Sequence, residues 1–380
     1  MKRHLTFLGA MLLMIAGSAV AQEVNSSAQM QKSSSGEDVS ANEIVDYTPS
    51  ISLDSRFGFN GIVSSGAAGF GGDGLYLNVD GKISKHFSYS LCQKFFSANG
   101  DDDSVFDNTD WLTLSYDVGG FTFTAGKDVV MVGSYEYDAY DIDSYFDMNS
   151  MFYNSFACYQ WGVKAMWTSP SETTSFAFQV TNSPFSYIPK EDNLYAYNLG
   201  WYSAWDWYES IWTVNMFEYE RGKFVNCIAL GNMFYVGNLS LGLDCVMRGA
   251  DVKRVGEDEI TVNFMPSYEF GDKFRLFGKF GWERSGEDLP YDFWGEYLTT
   301  DDMIAANEEN LATLPTFIIP GEDYLFYGAG LEYFPLKENK SVRLHAAWMS
   351  NNYTKRNAIN VGLTWKFDLV NAFKHIACKK

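Results

Sequence analysis

The chain has 380 residues and a net charge of −20, with 28 Lys plus Arg against 48 Asp plus Glu. Gripping a phosphate backbone takes clustered Lys and Arg, so this balance argues against nucleic acid as a partner. Four histidines and five scattered cysteines (Cys92, Cys158, Cys227, Cys245 and Cys378) offer no metal-ligand spacing, and neither a metal nor another cofactor is expected. Aromatic residues make up 17% of the chain and Gly occurs 33 times, a composition suited to β-sheet in a membrane barrel or in a soluble β-protein.

Residues 1–21 divide into a basic start (Lys2, Arg3, His4), an apolar middle (Leu5 to Ile15) and the small-residue step Ala19-Val20-Ala21 before Gln22. That is the pattern of a secretory signal peptide. Its removal makes the chain more acidic still. Residues 22–50 are rich in Ser, Gln, Asn, Glu and Asp and have no apolar period, which predicts a flexible periplasmic segment. After residue 21 no run of eighteen apolar residues occurs, which argues against helical membrane spans. An odd number of cysteines in an exported chain cannot all pair internally. Unpaired thiols, or a bridge drawn from Cys92, Cys158, Cys227 and Cys245, both remain open.

From Ile51 onward the chain alternates with period two, as a strand with two different faces requires. Leu75, Leu77 and Val79 oppose Tyr76, Asn78 and Asp80; Leu239, Leu241 and Leu243 oppose Ser240, Gly242 and Asp244; Phe274, Leu276 and Phe280 oppose Arg275 and Lys279. Sixteen strands are expected, at 51–63, 74–84, 86–98, 110–118, 120–129, 158–168, 173–182, 194–205, 210–220, 224–236, 238–248, 259–270, 273–284, 323–334, 341–350 and 358–367. Their connections sort into two sets. One is tight, as at Gly119-Gly120, Gly237-Asn238 and Gly271-Asp272. The other is mostly long and acidic or Gly-rich, as at 64–73, 99–109, 130–157, 183–193, 249–258 and 285–322. Short turns on one rim, long loops on the other and an even strand count together predict an all-β fold, a transmembrane antiparallel β-barrel over 51–367. The tight rim gathers rings, among them Phe87, Phe121, Trp205, Trp207, Phe234, Tyr235, Phe270, Phe274, Phe334 and Phe367, as an aromatic belt at headgroup level would. Residues 368–380 form a periplasmic tail beyond the last strand.

That strand carries the most specific signal. Asn360, Gly362, Trp365 and Phe367 are spaced as a polar residue, a glycine and two aromatics, and resemble the C-terminal insertion signal of bacterial outer-membrane barrels. Further upstream stand Leu75-Tyr-Leu-Asn-Val-Asp-Gly-Lys82, Asp110-Trp-Leu-Thr-Leu-Ser-Tyr116, Gly120-Phe-Thr-Phe-Thr-Ala-Gly-Lys127 and Gln179-Val-Thr-Asn182. In this order the segments resemble the sixteen-stranded porins of the phosphate-selective O/P-type superfamily, particularly their Bacteroidetes-type relatives. The resemblance implies a Gram-negative outer-membrane channel for passive diffusion of small hydrophilic solutes or ions. It also implies a homotrimer, with outer-membrane lipid and the barrel assembly machinery as partners.

Physics makes the same functional expectation, since sixteen strands enclose an aqueous lumen where eight would be filled by side chains. The loop 130–157 is the candidate constriction, with Glu136, Asp138, Asp141, Asp143 and Asp147 interleaved with Tyr135, Tyr137 and Tyr140. This departs from the arginine and lysine clusters of phosphate-selective relatives. Lys82, Lys94, Lys164, Arg248, Arg275, Lys279 and Arg343 are the candidate lumen-lining cations, and Asp80, Asp244, Glu269, Glu283 and Glu332 share their face. Three readings stay open: an acidic ring that attracts cations, a basic path for anions, and mutual pairing that only keeps the interior polar. A structural or adhesion barrel and a plugged ligand transporter are the alternative functions. A barrel enzyme would need a partner for His345, near Ser341 and Ser350, and His86 and His375 are too distant in the fold to supply one.

Overall fold

In the computed structural model the described residues are 47–63, 67–95, 106, 108–139, 143–146, 149–154, 157–185, 193–257, 259–286, 300–309, 315, 317–336 and 340–370. Residues 1–46 (which include the expected signal peptide), Tyr140, Asp141, Asp147 and the tail from residue 371 lie outside them.

Sixteen antiparallel strands follow in chain order: β1 (Ser50–Ile62), β2 (Ala67–Lys82), β3 (Phe87–Lys94), β4 (Thr109–Val118), β5 (Phe121–Val129), β6 (Tyr159–Thr168), β7 (Thr174–Asn182), β8 (Tyr195–Trp205), β9 (Tyr208–Glu220), β10 (Lys223–Val236), β11 (Leu239–Gly249), β12 (Glu259–Phe270), β13 (Phe274–Ser285), β14 (Asp323–Tyr333), β15 (Val342–Asn351) and β16 (Asn357–Asp368). Each strand pairs with its sequence neighbours, and β1 closes on β16 from Ser52 opposite Asp368 to Ile62 opposite Ala358. No backbone edge is left open, the condition for a sheet to stand in hydrocarbon.

Alternation decides which side chains meet lipid. Leu114, Phe123, Val163, Phe178, Leu199, Val214, Leu344 and Val361 are exposed on the outside. Their neighbours Ser115, Thr124, Gln179, Asn198, Thr213, Asn215, Arg343 and Asn360 are buried on the inside. The Gly119-Gly120 hairpin takes positive φ at both residues (57° and 80°), the geometry that matches strand twist in a two-residue turn. On the short-turn rim Phe87, Phe121, Trp205, Trp207, Phe270, Phe274 and Phe367 are exposed.

Four expectations need correction. Residues 67–73, read as part of an outer loop, are strand: β2 starts at Ala67, and Gly69-Phe70-Gly71 pairs with Asn60, Phe59 and Gly58. The glycines masked the alternation, and a register shift at Arg56/Phe57 broke its phase. The third strand stops at Lys94, short of residue 98. Tyr235 leaves the belt and turns inward, its hydroxyl donating to Glu209 at 2.9 Å. Phe334 is buried rather than facing lipid. Cys92, Cys158, Cys227 and Cys245 are all free thiols, so no bridge joins any of them.

Arginine on the lipid face near mid-strand should cost about 2–4 kcal/mol, whereas an inward neighbour should tolerate it. Leu114→Arg is therefore expected to lower stability in a denaturant titration of the vesicle-inserted protein by that amount. Thr113→Arg, one residue away on the inner face, should shift it by less than about 1 kcal/mol.

Candidate pore constriction

The chain leaves β5 at Val129 and does not turn outward. Residues 130–137 run along the inner wall because both surfaces suit each other. Val130, Val132, Tyr137 and Phe152 pack with Ala196, Phe217, Val225, Cys227, Ala229 and Val246 from β8 to β11. Gly133 lies flat against that wall; a Cβ there would sit 2.4 Å from the carbonyl oxygens of both Ile211 and Ala229. Only glycine permits so close an approach.

Irregular backbone inside a barrel must still have its polar groups satisfied, and inward side chains do this. Gln179 accepts the Met131 N–H at 2.9 Å and donates to the Val129 carbonyl at 2.8 Å. Asn215 donates to the Met131 carbonyl at 2.6 Å, and Thr213 accepts the Gly133 N–H at 2.8 Å. Asp244 takes three donors in a row: the Ser134 hydroxyl (2.8 Å), the Tyr135 N–H (3.0 Å) and the Glu136 N–H (2.8 Å). Glu283 accepts the Met151 and Phe152 N–H groups at 2.6 and 3.1 Å, where the one-turn helix Met151–Asn154 begins.

Glu136 ties the two limbs of the loop to each other and to the wall. It accepts from the Ser150 N–H (3.0 Å) and hydroxyl (2.5 Å), from Asn263 (2.8 Å) and from the Lys279 ammonium (2.6 Å). Burial by itself would raise this carboxyl, but Lys279 and the Ser150 bonds outweigh it and hold Glu136 below the usual carboxylate range. Arg248 completes the lock, bonding Glu283 at 3.0 Å and Glu259 at 3.1 Å while its guanidinium lies 4.6 Å from the centre of the Phe152 ring.

The described residues of the tip reach β13 to β1. Asp143 binds Arg343 and, at 3.1 Å, Lys366. Arg56 donates to the Ser144 carbonyl at 2.5 Å. Tyr145 donates to Glu332 at 2.5 Å and stacks on His345 at 4.0 Å between ring centres. Phe146 fills a notch at Gly328, where a Cβ would stand 2.6 Å from its ring. Burial works against the Asp143 anion, yet Arg343 and Lys366 keep its carboxyl below the ordinary range.

The loop therefore covers the inner faces of β7 to β16 and leaves the other wall to water. There Asp80, Ser90, Lys94, Thr113, Asp128, Gln160 and Lys164 are half-buried at inward positions, and Lys82 is exposed. Asp138 is exposed, although walls rise around it. Tyr135 is half-buried and Tyr137 buried.

All seven cations singled out in the sequence sit at inward register positions, but most are committed. Lys164 pairs with Asp128 at 2.6 Å, Lys279 with Glu136, Arg248 with two glutamates, Arg275 with Glu332, and Arg343 with Asp143 and Glu332. Lys94 lies 5.5 Å over the Tyr76 ring, and Lys82 makes no ion pair among the described residues. Of the terminal-strand signal, Asn360 is buried inside against His345 (2.6 Å), and Phe367 is exposed outside. The loop anchors Gln179, Thr213, Asn215, Asp244, Asn263 and Glu283 are not evident as such from the sequence, and Asn198 braces two of them, Gln179 and Asn215. Their signal is in the sequence: amides, carboxylates and one hydroxyl standing in the inward phase of β7 to β13. His345 meets Asn360 and Tyr145, while Ser350 donates to the Arg356 carbonyl.

No protein-family model matches the chain, and no curated protein does. Solved structures do. OmpT with loop L8 deleted, an outer membrane protein of Vibrio cholerae, superposes with a TM-score of 0.55 at 11% identity, over 84% of this chain and 99% of that one. The fold is that of a porin. A triple mutant of the Rhodopseudomonas blastica porin aligns at TM-score 0.54 and 12% identity, over 84% of this chain and all of its own (100%). The anion-selective porin from Comamonas acidovorans gives 0.50 at 11%, over 85% and 100%. At such identities the porin likeness concerns architecture, and residue roles rest on the geometry above.

Lys279→Met would leave Glu136 buried without its cation, a loss of about 3–5 kcal/mol for a broken buried pair. The expected outcome is a loop that detaches while the barrel persists. Limited proteolysis should then cleave within 137–148 in the variant and spare the parent.

Proposed function

We propose that the chain is an outer-membrane porin, a water-filled channel for passive diffusion of small hydrophilic solutes and ions, narrowed by the loop 130–157. One observation carries this reading. A closed barrel of sixteen strands has a greasy exterior, and inside it an exposed carboxylate, Asp138, faces a wall of half-exposed polar side chains. Sixteen strands are wide enough to remain hollow after one loop has folded in. Export through the signal sequence, residence in a Gram-negative outer membrane and a trimeric assembly belong to this reading. One of the structurally similar proteins, Vibrio cholerae OmpT, has been solved in a trimer form.

The charges favour weak selectivity. Arg248 and Arg343 are buried and paired with carboxylates, which disfavours an arginine path for phosphate. On the open side Asp80, Asp128 and Asp138 face Lys82, Lys94 and Lys164, and Lys164 is already neutralised by Asp128. A mild cation preference set by Asp138 follows.

Planar-bilayer recording tests the reading. Discrete conductance steps are expected, with a reversal potential in a salt gradient that indicates modest cation preference. Insertion without any conductance would overturn it in favour of an adhesion or plugged barrel. Asp138→Asn should move the reversal potential toward zero preference; no movement would take Asp138 out of the permeation path.

The same carboxylate sets a pH dependence. Enclosure by the walls pushes Asp138 up, to about 7, with Lys164 opposing. Water at its own surface limits the rise, so titration falls between the ordinary carboxylate range and about 7. A raised pKa means a neutral group in acid and an anion in base. Cation preference is therefore expected to grow from pH 4 to pH 8 (roughly one to two units either side of the transition), and the Asp138→Asn channel to stay flat over that interval.

A further inference from the structure

We propose that the loop tip is a clasp across the seam where the first and last strands meet, and that the constriction takes its final shape only once this seam has closed. Three cations on three adjacent strands converge on two consecutive loop residues. Arg343 of β15 binds one oxygen of Asp143 and Lys366 of β16 the other, while Arg56 of β1 donates to the carbonyl of Ser144. In the seam register Arg56 stands opposite Thr364, and Lys366 stands opposite Asp54. Lys366 and Arg56 therefore approach the tip from the two sides of the joint itself.

The sequence separations are 200, 223 and 88 residues. Contacts this distant form late, because the chain between them must first be ordered. A single strand can hold one oxygen of Asp143. Holding both, together with the neighbouring carbonyl, needs β15, β16 and β1 side by side. Tyr145 and Phe146 then lay the tip down, on His345 and at the Gly328 notch. Arg56, Arg343 and Lys366 are thus positioning residues for the constriction, and Asp143 is the group they share. The contact is also robust in mild acid, since its two cations keep Asp143 ionised below the usual range. Every one of these contacts belongs to the fold, so the clasp stands whether or not the barrel conducts.

The test uses the full mature chain refolded in detergent and in vesicles. A carbodiimide converts a carboxylate to an O-acylisourea, and a touching amine attacks its acyl carbon, expelling the urea and leaving an amide with no spacer. A peptide joining Asp143 to Lys366 is expected from the folded protein and not from the urea-unfolded one; its absence from the folded protein overturns the clasp. Asp143→Asn and Lys366→Met should each lower, by several degrees, the temperature at which the compact gel band converts to the unfolded one. Together they should lower it no further than the worse single variant does, because they remove one shared bond. Fully additive shifts would overturn the coupling. In bilayers the Asp143→Asn channel should show larger steps than the parent; equal steps would leave the tip no role in shaping the opening. A chain that never conducts would fail the channel reading and still leave the cross-link and melting results to judge the clasp.

Discussion

A backbone N–H or carbonyl removed from water must find a partner, and this one constraint acts twice in the molecule. In hydrocarbon it forces the sheet to close, so that β1 meets β16 and each strand pairs on both sides. Inside the barrel it acts on the loop that follows β5. That loop has no ladder of its own, and its orphan groups are met by side chains instead. Asp244 and Glu283 each serve backbone donors that a regular strand would have satisfied internally. Buried carboxylates are thus the consequence of folding an irregular segment into a confined space.

Asp244 is held by hydrogen bonds from the loop, while Glu283 and other buried carboxylates create a second problem, which cations solve. A buried anion without a counter-charge is costly, and pairing restores the balance only where hydrogen bonds complete it. Lys279 answers Glu136, Arg248 answers Glu283 and Glu259, and Arg343 answers Asp143 and Glu332. The interior is consequently rich in charge and poor in uncompensated charge. Where the loop lies on β8 to β11 it adds apolar packing to its hydrogen bonds, so the loop is held by packing and neutral donors at its start and by ion pairs further along.

The barrel was legible in the sequence because period-two alternation survives wherever one face meets lipid and the other does not. Fifteen of the strands could be placed that way with small errors at their ends. The start of β2 could not, since Gly69, Gly71 and Gly72 have no side chain to declare a face. The inward position of each lumen cation was equally readable, for alternation fixes it. What alternation cannot give is the partner. That Glu136 would meet Lys279, or Asp143 meet Arg343, depends on the path of a segment with no period, across strands more than a hundred residues away. The acidic loop consequently looks like a ring of free charge in one dimension, whereas in three its described carboxylates Glu136 and Asp143 are satisfied pairs and Asp138 faces water.

Why the loop lies on one wall and not the other follows from the size of the inward residues. The inner faces of β7 to β14 carry Ala177, Ala196, Gly200, Ala229, Gly231, Gly328 and Gly330, which leave depth for another layer of chain. Gly133 and Phe146 use that depth directly. The inner faces of β2 to β6 carry Asp80, Lys82, Lys94, Asp128 and Lys164, long or charged groups whose hydration a covering loop would strip. Covering the first wall buries apolar surface and gives orphan amides their partners; covering the second would desolvate three ammonium groups for no such return. The opening is therefore displaced toward β2 to β6, with lysines on its wall and Asp138 on the loop. Opposed charges across a narrow gap set up a field transverse to the barrel axis.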